Sequence, residues 1–274
     1  MNNDRPYASL WRHISARWPT YLIGFGGGIL LSLALITIAA ERELWLVAII
    51  AFLALLLLAY FLTTSIWSLH EQFNRRRHLP SHVIFELGQI QPTDSLVYVG
   101  LGVRDTPVQL SRRLTRGHLD AIDVYNPRLA PGSALARLRR PAPPSLRDPR
   151  LSWLEGSIDL LPLPDAGVEL VAMSYTLVEF WQHGDRSRLL QEIRRILRPE
   201  GHLLLAEPAR TRTQLLMLGP SALKLPPPEY WRQQLRDAGF IITREKNVGG
   251  YYLCFRAEKP LPGSVQQLAL DLGI

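Results

Sequence analysis

The sequence predicts an α/β domain, a mostly parallel sheet flanked by helices on both faces, preceded by a transmembrane helical hairpin. Three observations carry that prediction. Two long apolar runs stand near the N-terminus, and the stretch after them alternates short apolar runs with helix-spaced segments. The chain of 274 residues, 47% hydrophobic and 20% charged, is long enough for one domain plus a smaller element and too apolar for disorder.

Tyr21 to Ala40 holds no charged residue, and such a helix rises about 30 Å, the thickness of a bilayer core. A second uncharged run extends from Leu44 to Leu69, with only Glu41, Arg42 and Glu43 between the two. A secretory signal has one short apolar stretch and a small-residue cleavage site, so two long runs without such a site predict retained spans. Arg5, Arg12 and Arg17 precede the first span, Arg75, Arg76 and Arg77 follow the second, and the connecting loop is net acidic. Both ends are therefore expected at the cytoplasmic side of a bacterial-type inner membrane, with Trp11, Trp18, Tyr21, Trp45, Tyr60 and Trp67 near the interfaces. Gly24, Gly28 and Ser32 put small residues on one face of the first helix. That face suits packing on the second helix or contact with a membrane-protein partner.

The expected boundaries are a cytoplasmic segment 1–20, two transmembrane helices within 21–69, a basic linker 70–90, an α/β domain 91–259 and a tail 260–274. Within the domain, Ser95–Val99 reads as a strand ending in glycines and Thr106–Leu114 as the helix after it. Leu119–Val124, Leu151–Glu155 and Val168–Ser174 read as further strands. Asp185–Leu197 shows the clearest helix signals: a capping Asp185, one apolar face of Leu189, Leu190, Ile193 and Ile196, and Pro199 with Gly201 as a stop. The strand His202–Ala206 follows, then a helix Pro228–Ala238 and an antiparallel pair, Phe240–Lys246 and Tyr251–Ala257. In the tail, Leu268, Leu270 and Leu272 suit covering the domain or meeting a partner.

Composition narrows the chemistry. The net charge is +7, but the only lysines are Lys224, Lys246 and Lys259, so arginine supplies nearly all the positive charge. The lone Cys254 excludes a disulfide framework and any cysteine-built metal site. His78 and His82 have a ligand-like spacing, but Leu79-Pro80 breaks a helix between them, and no metal site is expected. Arg137 to Arg150 carries five arginines among Pro141, Pro143, Pro144 and Pro149, an irregular loop that is solvated or lies on anionic lipid. Nucleic acid is not an expected partner, because no folded basic face with interleaved aromatics is visible.

In an open parallel sheet, ligands bind beyond the carboxyl ends of the strands, where strand order reverses. Gly100-Leu101-Gly102 follows the first strand, where missing side chains let backbone amides approach a ligand. Asp123 ends the second strand, twenty-one residues past Gly102, and a carboxylate so placed can accept two hydrogen bonds from ribose hydroxyls. Tyr175, Glu179 and His183 follow the fourth strand and are candidate bases for an acidic acceptor, although they equally suit capping and solvating the next helix. Glu207, after the fifth strand, is expected in solvent or facing the site.

The run Gly156-Ser157-Ile158-Asp159-Leu160-Leu161-Pro162-Leu163-Pro164-Asp165, then Val168 to Val171, then Leu190 to Gly201 and the strand ending Glu207-Pro208, resembles class I S-adenosylmethionine-dependent methyltransferases, closest to the small-molecule and quinone-methylating branch. The resemblance implies a Rossmann-like sheet of seven strands with the last antiparallel, and S-adenosylmethionine as cofactor. It further implies that Gly100, Leu101 and Gly102 line the methionine part, Asp123 holds the ribose, Ser157 and Ile158 flank the adenine, and Ser174 lies near the transferred methyl.

Three positions depart from the family pattern. Tyr98 stands where an acidic residue usually precedes the first glycine, Arg104 replaces the third glycine, and Ser157 replaces an adenine-binding aspartate. A guanidinium about 5 Å from the sulfonium would cost roughly 3 kcal/mol at an effective dielectric of 20, unless Arg104 turns to the cofactor's carboxylate or pairs with Asp105. The expectation is an anchored methyltransferase that takes a lipophilic small-molecule acceptor, such as a quinone precursor, lipid, carotenoid or tetrapyrrole, at the cytoplasmic face of the lipid bilayer. The alternative is a degenerate methyltransferase fold kept as an assembly subunit of a membrane complex. A nicotinamide-dependent oxidoreductase is disfavoured because Asp105 stands where that fingerprint wants a small residue.

Overall fold

A computed structural model describes residues 24–74, 78–139 and 148–261. The arginines flanking the hairpin, most of the proline-rich basic loop and the leucines of the tail lie outside the described residues. Two helices come first, α1 (Gly27–Glu41) and α2 (Trp45–Asn74). The windows Gly24–Glu41 and Trp45–Trp67 are long and apolar enough to cross a membrane, and only 11% and 6% of them is buried, unlike the core helices of a soluble protein. The two pack side by side. A Cβ at Gly28 would come 3.0 Å from Leu58, and Ser32 is buried, whereas Gly24 faces open space.

The strands β1 (Leu96–Gly100), β2 (Leu119–Asp123), β3 (Leu151–Glu155), β4 (Val168–Ser174), β5 (Leu197–Glu207), β6 (Ile241–Val248) and β7 (Tyr252–Glu258) form one seven-stranded sheet. Their order is β3-β2-β1-β4-β5-β7-β6, with β7 antiparallel to both its neighbours. This Rossmann-like sheet has the seven strands and the late antiparallel strand that the resemblance implies. β1 is buried at all five positions, because helices cover both faces of the sheet. One face carries α6 (His183–Ile196) and α8 (Pro228–Asp237), whose Leu189, Leu190, Ile193, Trp231 and Leu235 pack with Val97, Val99, Val171 and Leu203. The other carries α3 (Pro80–Gly88) and α4 (Asp105–Ser111) over Leu96, Tyr98, Leu170 and Leu204.

Helix α3 is a departure from the expected linker. Pro80 occupies its first turn, where a missing N–H costs nothing, and Val83, Ile84 and Leu87 are buried on the sheet. The packed domain therefore starts near Pro80. Two short helices were also not legible as helices: α5 (Ser133–Leu138) and α7 (Arg212–Leu218), the latter continued by a 3-10 helix Gly219–Lys224.

The hairpin meets the domain at one edge. β7 begins where β5 ends, with Leu253 opposite Glu207, so the β6–β7 turn lies at the carboxyl edge of the parallel strands. Just past α2, the His78 carbonyl accepts a bond from the Tyr252 hydroxyl at 3.0 Å, and the His78 ring lies 5.6 Å from that of Tyr251.

Candidate functional site

β1 pairs with β2 on one side and β4 on the other, so the connections run in opposite directions from β1 and leave a crevice at its carboxyl end. Gly100 and Asp123 are direct register partners there. The chain then turns sharply at Gly102, whose φ of +73° is a conformation that favours glycine. A Cβ at Gly102 would lie 2.5 Å from Asp123 Oδ2, so the carboxylate overhangs the bare turn. Gly100 is constrained from below: a Cβ would come 2.7 Å from the Tyr98 ring.

Arg139, which caps the C-terminus of α5, occupies the space above Gly102. Its Nη1 donates to Asp123 Oδ1 at 2.8 Å and to the Leu101 carbonyl at 2.5 Å, and its guanidinium lies 3.8 Å from the Tyr125 ring centroid. The Tyr125 backbone N–H also donates to Asp123 Oδ1, at 3.0 Å. The carboxylate expected to grip ribose hydroxyls thus already holds a protein cation. No sequence pattern pointed to Arg139, which lies sixteen residues beyond Asp123 in the basic stretch.

The departures from the family pattern resolve individually. Arg104 is exposed and turned aside, its guanidinium 5.1 Å from the Trp153 ring centroid. Tyr98 points to the α3–α4 side of the sheet and shares a hydrogen with Ser174 Oγ at 2.9 Å, while Ser174 donates to Thr106 Oγ1 at 3.2 Å. Burial pushes the Tyr98 hydroxyl up to about 12, so it stays neutral. Ser174, 7% exposed, is engaged beneath the crevice and presents little surface to it. Ser157 is exposed in a tight turn, its Oγ accepting the Asp159 N–H at 3.3 Å, and Ile158 is buried beside it.

The three candidate bases engage separate partners. Tyr175, at a positive φ of 52°, lies 5.8 Å from the Tyr252 ring. The Glu179 carboxylate borders Gly132. His183 sits at the start of α6, with Nδ1 3.0 Å from the Tyr230 hydroxyl and Nε2 3.2 Å from Gln234 Nε2.

Glu207 corrects the expectation of a solvated or site-facing carboxylate. It is fully buried and accepts backbone N–H bonds from Thr176 at 2.8 Å, Leu177 at 2.7 Å and Val178 at 3.2 Å, capping the 3-10 turn Leu177–Glu179. Burial pushes its carboxyl up to about 7, against the opposing pull of those three bonds. Its role is to hold the loop after β4 in place. Among the described residues no group of three or more His, Cys, Asp or Glu is placed to hold a metal ion.

Residues 99–205 match a protein family described as a methyltransferase domain. The fold is similar to that of a SAM-dependent methyltransferase from Aquifex aeolicus, at 23% identity and a TM-score of 0.50, over 66% of this chain and 89% of that one. It is also similar to human N-acetylserotonin methyltransferase in complex with SAM, at 16% identity and 0.50, over 72% and 56% of the two chains. A third is the pyocyanin biosynthetic protein PhzM, at 17% identity and 0.51, over 71% and 57%. No curated protein sequence matches the chain. The match makes residues 99–205 a methyltransferase domain, and two of these similar structures are described as SAM-dependent or in complex with SAM.

Proposed function

We propose that the chain is a membrane-anchored S-adenosylmethionine-dependent methyltransferase acting on a lipophilic small molecule at the cytoplasmic membrane face. The observation that carries the reading is the crevice itself: a left-handed glycine turn after β1, overhung by a carboxylate at the end of β2, inside a methyltransferase domain. These residues fit the cofactor's nucleoside end once the flexible Arg139 side chain swings out. Asp123 would then accept the ribose hydroxyls, Gly100 and Gly102 would admit the methionine end, and Ser157 with Ile158 would flank the adenine.

When bound, the cofactor supplies an electrophilic methyl group on a sulfonium. The protein's own task is to bring the acceptor in line and keep water out. No dedicated base is required if the acceptor is acidic, and none of Tyr175, Glu179 and His183 stands free for that role. The lipophilic acceptor is supported by the two exposed apolar helices, which join the domain at the carboxyl edge of the sheet where the crevice opens. Arg104, over Trp153, keeps its own charge away from the glycine turn.

A second reading, an assembly subunit with a degenerate site, is favoured by the Arg139–Asp123 pair and by a Gly24 with open space beside it. Calorimetric titration of the detergent-solubilised protein separates the two. Micromolar binding of S-adenosylhomocysteine and S-adenosylmethionine, abolished by Asp123→Ala, is the expected result. Absence of binding of either at millimolar ligand refutes the enzyme and leaves the subunit.

A further inference from the structure

The connection between β5 and α8 does not simply cross the carboxyl edge; it reaches back to the hairpin. Gly219, at the junction of α7 and the following 3-10 helix, lies so close to α2 that a Cβ would come 3.0 Å from the Phe61 ring. Phe61 is six residues before Trp67, about 9 Å along a helix toward the apolar side of the expected interface. The same segment is fixed to the domain at its other flank: Thr211 Oγ1 donates to the Gly250 carbonyl at 2.5 Å, and Gln214 Nε2 to the Tyr251 carbonyl at 2.7 Å.

Its outer surface is apolar. Leu216 is 62% exposed and Leu223 59%, with Leu215 beside them, so three exposed leucines fall within nine residues of one segment. Cations bracket this surface: Arg210 and Arg212 precede it, and Lys224 closes it. Exposed leucines flanked in sequence by exposed basic residues, contiguous with a helix that is itself apolar on its outside, have the composition of an element lying in a headgroup–acyl boundary. A soluble partner would not be expected to place its contact face against the side of an apolar helix.

We infer that residues 212–224 form a second membrane contact, dipping Leu216 and Leu223 into the leaflet that the C-terminal half of α2 crosses, with Arg212 and Lys224 at anionic headgroups. The inference rests on the anchoring part of the proposed function and adds to it an orientation. The segment follows the last residue of β5, so its insertion turns the carboxyl edge of the sheet, and with it the crevice, toward the lipid. Acceptor would enter sideways from the bilayer rather than from the aqueous phase.

The test uses the full chain reconstituted in vesicles of phosphatidylcholine and phosphatidylglycerol, roughly three to one, so that anionic lipid is present. Leu216→Cys, Leu53→Cys and Gln191→Cys each receive an environment-sensitive fluorophore; Cys254 is fully buried and gives no background. Leu53 lies in the apolar window of α2 and reports the anchor, and Gln191 is exposed on α6 and reports water. The expected result is that Leu216 is quenched by lipid carrying a nitroxide just below the headgroup and shielded from aqueous iodide, several-fold relative to Gln191. Leu216 as open to iodide as Gln191, with Leu53 still quenched by lipid, overturns the inference and leaves the anchor standing. Leu53 open to iodide overturns both.

Discussion

Arg139 decides whether Asp123 is available, and its removal is the sharpest perturbation of the site. Its Nη1 makes two bonds, to Asp123 and to the Leu101 carbonyl, and its guanidinium covers Tyr125. Both side chains of the ion pair are about a quarter exposed, so the arginine recovers much of its hydration when displaced. A charge-assisted hydrogen bond and one stacking contact, each discounted for that hydration, amount to about 2 kcal/mol. A ligand that needs Asp123 must supply that amount before it binds. Arg139→Ala should therefore tighten S-adenosylhomocysteine by roughly 30-fold, read by calorimetry on the solubilised protein, while Asp123→Ala in either background abolishes binding. The reasoning is refuted if Arg139→Ala weakens binding or leaves it unchanged. Either result would mean that the arginine contacts the ligand, or that Asp123 does not.

Other expectations follow from single residues. Gly102→Ala forces a side chain into a φ of +73° and onto both Asp123 and Arg139; it should lower stability by about 1–2 kcal/mol in denaturant titration and abolish S-adenosylhomocysteine binding. Tyr98→Phe removes a hydroxyl directed at Ser174 below the crevice, and should cost about 1 kcal/mol of stability with ligand affinity unchanged. Glu207 has a folded value near 7 against an ordinary 4.5, so its protonated form is the one the fold favours. Its contribution is fully present below about pH 4.5 and is lost as pH rises through about 7, a loss of about 3 kcal/mol. Glu207→Gln should lack that decline; parallel stability curves for the two proteins across this window would show that burial does not perturb the carboxyl.

Strand β4 was legible because burial on both faces writes itself as a nearly continuous apolar run, Val168–Ser174, whereas β3, Leu151–Glu155, lies at the sheet edge with no fully buried residue and was bounded from Leu151, Trp153 and Leu154 alone. The glycine turn and Asp123 were legible because their spacing along the chain is set by one strand–helix–strand unit. Helices α3 and α7 were not, since one is short and begins at a proline that reads as a break, and the other presents Leu215 and Leu216 side by side without a helical period. Arg139 was illegible for a different reason. Its partner is chosen by a long side chain's rotamer, and the sequence shows only another arginine in a basic stretch. Glu207 looked like a site residue because it ends a strand at the correct edge; what removed it from that role was three backbone N–H groups from a turn thirty residues away.

On the proposed function, in which the hairpin is the anchor, the placement of these parts couples anchor and crevice. His78, just past the hairpin, joins Tyr252, and Gly219 adjoins Phe61 of α2, so hairpin and domain are tied at two points beside the carboxyl end of β5 and the amino end of β7. Two attachments restrain rotation in a way that one flexible linker would not, because a rigid body held at separate points loses its freedom to tumble. An anchor serving only to raise local concentration would gain nothing from that restraint. A domain that must present one edge to the bilayer, where a lipophilic acceptor resides, gains orientation from it. Breaking only the second contact tests the difference: Gly219→Leu, which drives a side chain into Phe61, should leave S-adenosylhomocysteine affinity unchanged while reducing turnover of a bilayer-embedded acceptor more than that of a short-chain, water-soluble analogue. Equal loss on both acceptors would mean that orientation plays no part.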